Sequence, residues 1–429
     1  MFKFTFILQK LFLFLILIQN YYSLKPQTIE LQLNSKNNFF TLPIKIGSNN
    51  DLFEVQIDST TSETWIPSTN VPLPVHKFNA KNSSTCQETH NLFEIEDRNG
   101  KVIGFSIYDS VSLGSVKLDK FGLVLVDFLE RNSKDYNQGK LGLGYRQDHG
   151  VDFNFIGSLK KNGFIEKEIF SIIPDEKKLI IGNIPKAYER ERYTKCNLVE
   201  TNDLDNAFRS GWVCEMTHIL FGVDTKNKTL EKAIPMNARA IFDTAYNYIS
   251  IPFRHLDDFN NKFMKDFYND SCIQIKELNE IYYICEDDEK IKKGSIAFVL
   301  GGFGYVIPWS KLFRKILDEK YEMQIRFHKE NDDIFTFGYP FVSQFTLVYN
   351  SEDKEVGFFR GERINVTRDW DIYMIGETPE QKKEKMKKLL IYSSIIGGIL
   401  FFIIIFLVIR SSRKANLERN SMIQREMAP

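Results

Sequence analysis

The sequence predicts a mostly β molecule of two lobes with a C-terminal transmembrane helix. Three observations carry this. Short segments alternate apolar and polar residues with period two, as in Phe53-Glu-Val-Gln-Ile57 and Phe345-Thr-Leu-Val-Tyr349, the pattern of half-buried strands. An aspartate-centred motif occurs twice, once in each half of the chain. Residues 389–409 carry no charge and, at 1.5 Å rise per residue, are long enough to cross about 30 Å of hydrocarbon.

From the N-terminus, residues 1–23 read as a signal peptide: Lys3 precedes a short apolar run centred on residues 11–18. The alternative is an uncleaved anchor. Residues 24–188 and 189–365 are the two lobes, 366–388 a juxtamembrane stalk, 389–409 the span and 410–429 a cytoplasmic tail. Lysines before the span and basic residues after it balance, so the positive-inside rule gives no orientation. The signal peptide decides it, placing the bulk of the chain outside the cytosol as a single-pass type I protein. The expected compartment is the secretory pathway, a lysosome- or vacuole-like compartment, or the cell surface. Sequons at Asn82, Asn227, Asn269 and Asn365 all precede the span, in keeping with a luminal face. There, disulfides are expected. Cys196 with Cys214 and Cys272 with Cys285 each close a short loop and are the preferred pairs, leaving Cys86; connectivity is not fixed by sequence.

Composition excludes several functions. With 56 Lys and Arg against 56 Asp and Glu, the 429 residues have no net charge, and no basic field recruits nucleic acid. There is no Cys-x-x-Cys and no His-Glu-x-x-His, so a zinc cluster or zincin is not expected. The six histidines sit in no nucleophile motif. Gly301-Gly-Phe-Gly304 follows a strand pattern without a phosphate-loop Lys and reads as a turn.

Within the body, strands are expected at residues 53–57, 101–108, 111–118 and 345–349, and short helices at 155–162, 253–267 and 309–318. The first strand of the folded unit is expected at residues 39–47. That leaves only residues 24–38 between signal and domain, too few for a cleft-filling prosegment.

The repeat is the strongest pattern. Asp58-Ser59-Thr-Thr-Ser62 leads to Ile66-Pro67, and Asp243-Thr244-Ala-Tyr-Asn247 leads to Ile251-Pro252. Aspartate, a hydroxyl at +1, Ile at +8 and Pro at +9 recur at the same offsets. Each aspartate ends an apolar strand, and each half later offers an apolar-Gly pair, Leu141-Gly142 and Phe337-Gly338. A single Asp of this kind usually caps a turn. Two domain-sized units each offering one suggest a site at a pseudo-twofold junction.

These segments resemble pepsin-like aspartic peptidases. The stretch from Phe53 through Asp58-Ser-Thr-Thr-Ser-Glu-Thr-Trp65-Ile-Pro-Ser68 is similar to that family's first active-site segment. Tyr108-Asp109-Ser-Val-Ser-Leu-Gly114, Gly139-Lys-Leu-Gly-Leu-Gly144, Leu179-Ile-Ile-Gly182 and Phe337-Gly338-Tyr-Pro-Phe341 follow in the family's order. The resemblance runs over about residues 39–360 and implies a bilobal fold with Asp58 and Asp243 as a catalytic dyad.

Such a pair shares one proton, because two adjacent carboxylates do not both ionise. One activates a water and the other protonates the scissile carbonyl, with no metal or cofactor and with an extended peptide or protein as substrate. The resemblance further implies that Ser59 and Thr244 lock the two loops together, that the Thr61 hydroxyl bonds the outer oxygen of Asp58, and that Trp65 is the cleft tryptophan. A monomer is expected.

Four departures oppose activity. Thr60 and Ala245 stand where the family has glycine, which lets backbone N–H groups approach the carboxylates. Tyr246 replaces a short hydroxyl. No tyrosine lies between Asn91 and Ile107, and Asp97 occupies the place of the flap tyrosine. A membrane-anchored endopeptidase and an inactive peptide-binding or receptor module are therefore both open.

Overall fold

Strands dominate because the alternating segments bury one face and pair along their edges. The computed structural model describes residues 28–366 apart from short stretches, of which 132–138, 202–210 and 287–293 are the longest, together with residues 372–374 and Lys387. The described residues up to Met374 belong to the first of two units of the chain. The signal-like run, the 389–409 span and Asn269 lie outside the described residues. Among the described residues no helix is long and apolar enough to cross a membrane.

Three sheets build the first unit. An eight-stranded sheet between Asn34 and Gly142 forms the first lobe, and a thirteen-stranded sheet beginning at Val213–Phe221 forms the second. The third, six-stranded and antiparallel throughout its described pairings, joins them. Its order is Ile29–Gln32, Lys178–Ile181, Ile169–Ile173, Thr346–Asn350, Glu355–Phe359, Thr194–Asn197. Residues expected to precede the folded unit are thus inside it: Ile29–Gln32 pairs with Lys178–Ile181, and Asn34–Lys36 pairs with Phe39–Ile46.

The sequence repeat is also a repeat of topology. In the first lobe Asp51–Asp58 runs parallel to Lys140–Gly142, which meets Trp65–Pro67 antiparallel, and Trp65–Pro67 runs parallel to Val116–Arg131. In the second, Lys232–Phe242 runs parallel to Ile334–Phe337, which meets Ile249–Pro252 antiparallel, and Ile249–Pro252 runs parallel to Ile325–His328. Each aspartate therefore emerges at a strand end beside a strand from far along the chain. At both crossings only glycine fits. A Cβ at Gly142 meets the Glu63 carbonyl oxygen at 2.5 Å, and one at Gly338 meets that of Tyr248 at 2.3 Å.

A long hairpin, Gln87–Asp97 with Gly100–Leu113, projects from the first sheet. The half nearest its turn contributes Phe93, Ile95 and Val102 to a small apolar cluster with Trp65, Val71, Val124, Val126 and Phe153. The expected strand at 111–118 is instead a hairpin corner: Gly114 takes φ 58° and Leu113 pairs with Val116. The expected helix at 309–318 is also corrected. Only Trp309–Leu312 is helical; Phe313–Leu317 pairs with Lys320–Met323 around Glu319 at φ 62°. Trp309 and Leu312 anchor the helical turn by burial, whereas Ile316 and Leu317 are exposed, so no apolar stripe holds a longer helix. Phe155–Lys161 is helical as expected, capped by the Asn154 side chain on the Gly157 N–H. The 253–264 stretch is three short helical segments. Gly301 and Gly302, both at positive φ, turn one strand into the next.

Candidate active site

The two aspartate loops hold each other across the lobe junction. The Ser59 N–H donates to Thr244 Oγ1 and the Thr244 N–H donates to Ser59 Oγ, each at 3.1 Å. Ser59 Oγ donates to the Phe242 carbonyl at 2.6 Å and Thr244 Oγ1 to the Ile57 carbonyl at 2.8 Å. Every donor and acceptor in this reciprocal grip is buried, so each bond forms in low dielectric and leaves no main-chain group of the four unsatisfied. Gln56 adds a fifth link, its Nε2 donating to the Ala245 carbonyl at 3.0 Å. Trp212 adds a sixth, its indole N–H donating to the Leu143 carbonyl at 3.0 Å.

Both aspartates are buried, and the N–H at +2 reaches each. The Thr60 N–H lies 2.8 Å from Asp58 Oδ1, and the Ala245 N–H lies 2.8 Å from Asp243 Oδ1. The absence of glycine at +2 therefore does not keep the backbone away. The Thr60 side chain joins in, its Oγ1 donating to Asp58 Oδ1 at 2.7 Å.

Thr61 is a correction. Its N–H approaches Asp58 Oδ1 at 3.2 Å, while its buried hydroxyl makes no hydrogen bond. The outer oxygen it was expected to bond is taken by a stronger donor. Lys140 Nζ lies 2.7 Å from Asp58 Oδ2, with the lysine side chain 1% exposed and the aspartate fully buried. A charge-assisted bond outcompetes a neutral hydroxyl. Burial alone raises the Asp58 pKa, but the Lys140 charge and hydrogen bond, with Thr60, outweigh it and hold the carboxyl below its ordinary range.

Lys140 is the functional residue that sequence reasoning passed over. A signal was present: a lysine in an otherwise apolar strand, two residues before the glycine opposite Asp58. Period two puts residues 140 and 142 on the same face of that strand.

Elsewhere, Trp65 is 1% exposed and packs in one apolar cluster with Phe93, Ile95 and Val102 near the hairpin's turn. Tyr246 is buried and its hydroxyl donates to Glu280 at 3.3 Å, away from its own aspartate. Asp97 pairs with Gly100 at the far end of the hairpin strands. Disulfides join Cys196 to Cys214 and Cys272 to Cys285, and Cys86 is free. Asn82, Asn227 and Asn365 are exposed.

This two-lobed β fold, with one aspartate loop per lobe locked by reciprocal hydroxyls, defines an aspartic peptidase scaffold. Residues 39–360 match the eukaryotic aspartyl protease family, and the chain belongs to it. Candidapepsin-3 of Candida albicans is similar, with 25% identity over 178 residues, covering 38% of this chain and 43% of the relative. Secreted aspartic protease 1 of the same organism is 27% identical over 184 residues, covering 38% and 46%. The chain spans less than half the length of these relatives.

Proposed function

We propose that this chain is an aspartic-type endopeptidase, anchored by one membrane span at residues 389–409, that cleaves extended peptide segments. The observation that carries the reading is the reciprocal Ser59–Thr244 grip, which brings the two aspartate loops together at one junction between the lobes. One carboxylate takes a proton from water as the water oxygen attacks the scissile carbonyl carbon. The other gives its proton to the carbonyl oxygen. The tetrahedral intermediate then breaks its C–N bond as the amine takes up a proton. Peptide main chain binds along the cleft and side-chain pockets select sequence.

Relatives named secreted aspartic protease, the signal-like N-terminus and the exposed Asn82, Asn227 and Asn365 support a luminal or cell-surface location. The test is cleavage of an unfolded protein across acid pH, with and without pepstatin, by the wild type and Asp58→Asn. Asp58→Asn is expected to lose activity by about 10²–10⁴-fold, the range for losing a general acid–base group. Equal cleavage by the two proteins overturns the reading.

A second reading, a peptide-binding module without hydrolysis, is favoured by the Lys140–Asp58 contact. Peptide and pepstatin binding by a wild type that cleaves nothing would select it.

A further inference from the structure

A dyad that shares a proton holds two carboxylates and one proton, a net charge of −1. Two ionised carboxylates and one lysine ammonium carry the same net charge. We propose that Lys140 is a charge lock on this site: its ammonium takes the place of the shared proton, holds Asp58 as a fully donated carboxylate, and restrains hydrolysis. The inference rests on the peptide-cleaving reading above and concerns its regulation.

Geometry supports it at each atom. Asp58 Oδ1 accepts from the Thr60 N–H, the Thr60 hydroxyl and the Thr61 N–H at 2.8, 2.7 and 3.2 Å. Oδ2 accepts from Lys140 at 2.7 Å. Three donors saturate Oδ1, and the ammonium on Oδ2 draws charge from the oxygen that keeps a free lone pair, which leaves Asp58 a weak base toward water. The ammonium is also a far weaker acid than a carboxylic acid, so it replaces the proton without supplying the proton donor that the carbonyl needs.

The lock is one-sided. Lys140 pairs in register with Gln56, two residues before Asp58. The matching register in the second lobe pairs Thr336 with Ile241, two residues before Asp243, and Thr336 is neutral. Among the described residues the charged and titratable groups at the site include Lys140, Asp243 at the matching position of the other lobe, and Tyr349 from Thr346–Asn350, whose buried hydroxyl lies close to Ser59 and Asp243. Among these Lys140 is the cation. Its side chain is buried with the aspartate, so its ammonium is not screened by solvent.

The test compares the wild type with Lys140→Met and with Lys140→Thr, the residue of the symmetry-related position. Readouts are kcat and KM for a quenched fluorogenic peptide from pH 3 to 8, and pepstatin binding by calorimetry. Both variants are expected to raise kcat at acid pH by tenfold or more, to leave KM within about threefold, and to bind pepstatin more tightly. Folded variants that cleave no faster than wild type at any pH overturn the lock, including the case in which they bind peptide and cleave nothing. Variants that lose an activity the wild type has also overturn it, while leaving the peptidase reading intact. If no protein cleaves or binds peptide, the peptidase reading fails and the lock with it. Should both variants fail to fold, the ¹³C shift of the Asp58 carboxyl in the wild type decides. An Asp58 carboxylate that stays ionised while Asp243 titrates alone upholds the proposal, and a titration coupled to that of Asp243, in which the two share one proton, overturns it.

Discussion

At the scale of single residues, the buried Lys140–Asp58 pair makes stability depend on pH. Asp58 is held below its ordinary range. The stability this contributes is therefore present above the unfolded carboxylate value of about 3.9 and is lost as pH falls through the folded value. Breaking a buried pair by removing one partner costs about 3–5 kcal/mol, because a charge is left uncompensated. Lys140→Met should therefore be destabilised by about that amount at pH 7. The gap should close toward pH 3, where Asp58 in the variant is free to take a proton. Urea unfolding at the two pH values checks this; a gap that widens on acidification is the wrong sign. Thr60 makes the opposite point about reading a substitution. It stands where the family's glycine lets the backbone approach the dyad, yet its own N–H and hydroxyl both reach Asp58. Thr60→Ala should lose about 1 kcal/mol from the missing hydroxyl bond rather than gain activity, which thermal melts and a peptide assay can separate.

At the scale of elements, the crossing strands and the grip are the parts that tolerate least. The Gly142 and Gly338 positions abut backbone carbonyls, and backbone cannot swing aside as a side chain does. Gly142→Ala and Gly338→Ala should each cost about 3 kcal/mol or more, seen as lost soluble yield or a lowered urea midpoint. Normal stability would mean that the crossing strands have room to shift. Ser59→Ala leaves the Thr244 N–H and the Phe242 carbonyl without their partner. Each orphaned buried group costs about 1–3 kcal/mol, so a loss of roughly 2–5 kcal/mol is expected. Thr244→Ala should not add to it fully, because the two hydroxyls belong to one network. A double mutant whose loss equals the sum of the singles would show that the bonds act separately. The grip was legible because its residues recur at the same offsets from the two aspartates, and the crossings because each half carries an apolar-Gly pair. The 309–317 stretch was not, since a short buried turn and an exposed hairpin strand share one apolar composition.

At the scale of the whole molecule, the joining sheet and one disulfide tie the lobes into a single unit. Cys196 lies in Thr194–Asn197 of the joining sheet and Cys214 in Val213–Phe221 of the second-lobe sheet. Closing a loop of 18 residues restricts the unfolded chain by about 3 kcal/mol in the loop-entropy account. The paired change Cys196→Ser with Cys214→Ser should therefore lower stability by about that much and loosen the second lobe first, which hydrogen exchange resolved by segment would report. Loss of protection confined to the first lobe would contradict this assignment.

The sequence by itself determined what depends on short-range pattern. It marked the β class, the two aspartate loops and their +1 hydroxyls, because each is written within a few residues or repeated at fixed offsets; the cysteine pairs it only preferred, and the grip between the hydroxyls came from the family resemblance. Tertiary structure alone decided the rest. The joining sheet draws strands from residues 29–32, 169–181, 194–197 and 346–359, and no local signal states that these become neighbours. The same long-range pairing carries Lys140 under Asp58, a residue 82 positions away in the chain. Burial then turns that contact from an ordinary surface ion pair into the interaction that sets the charge of the site, because the strength of an ion pair depends on the water excluded around it.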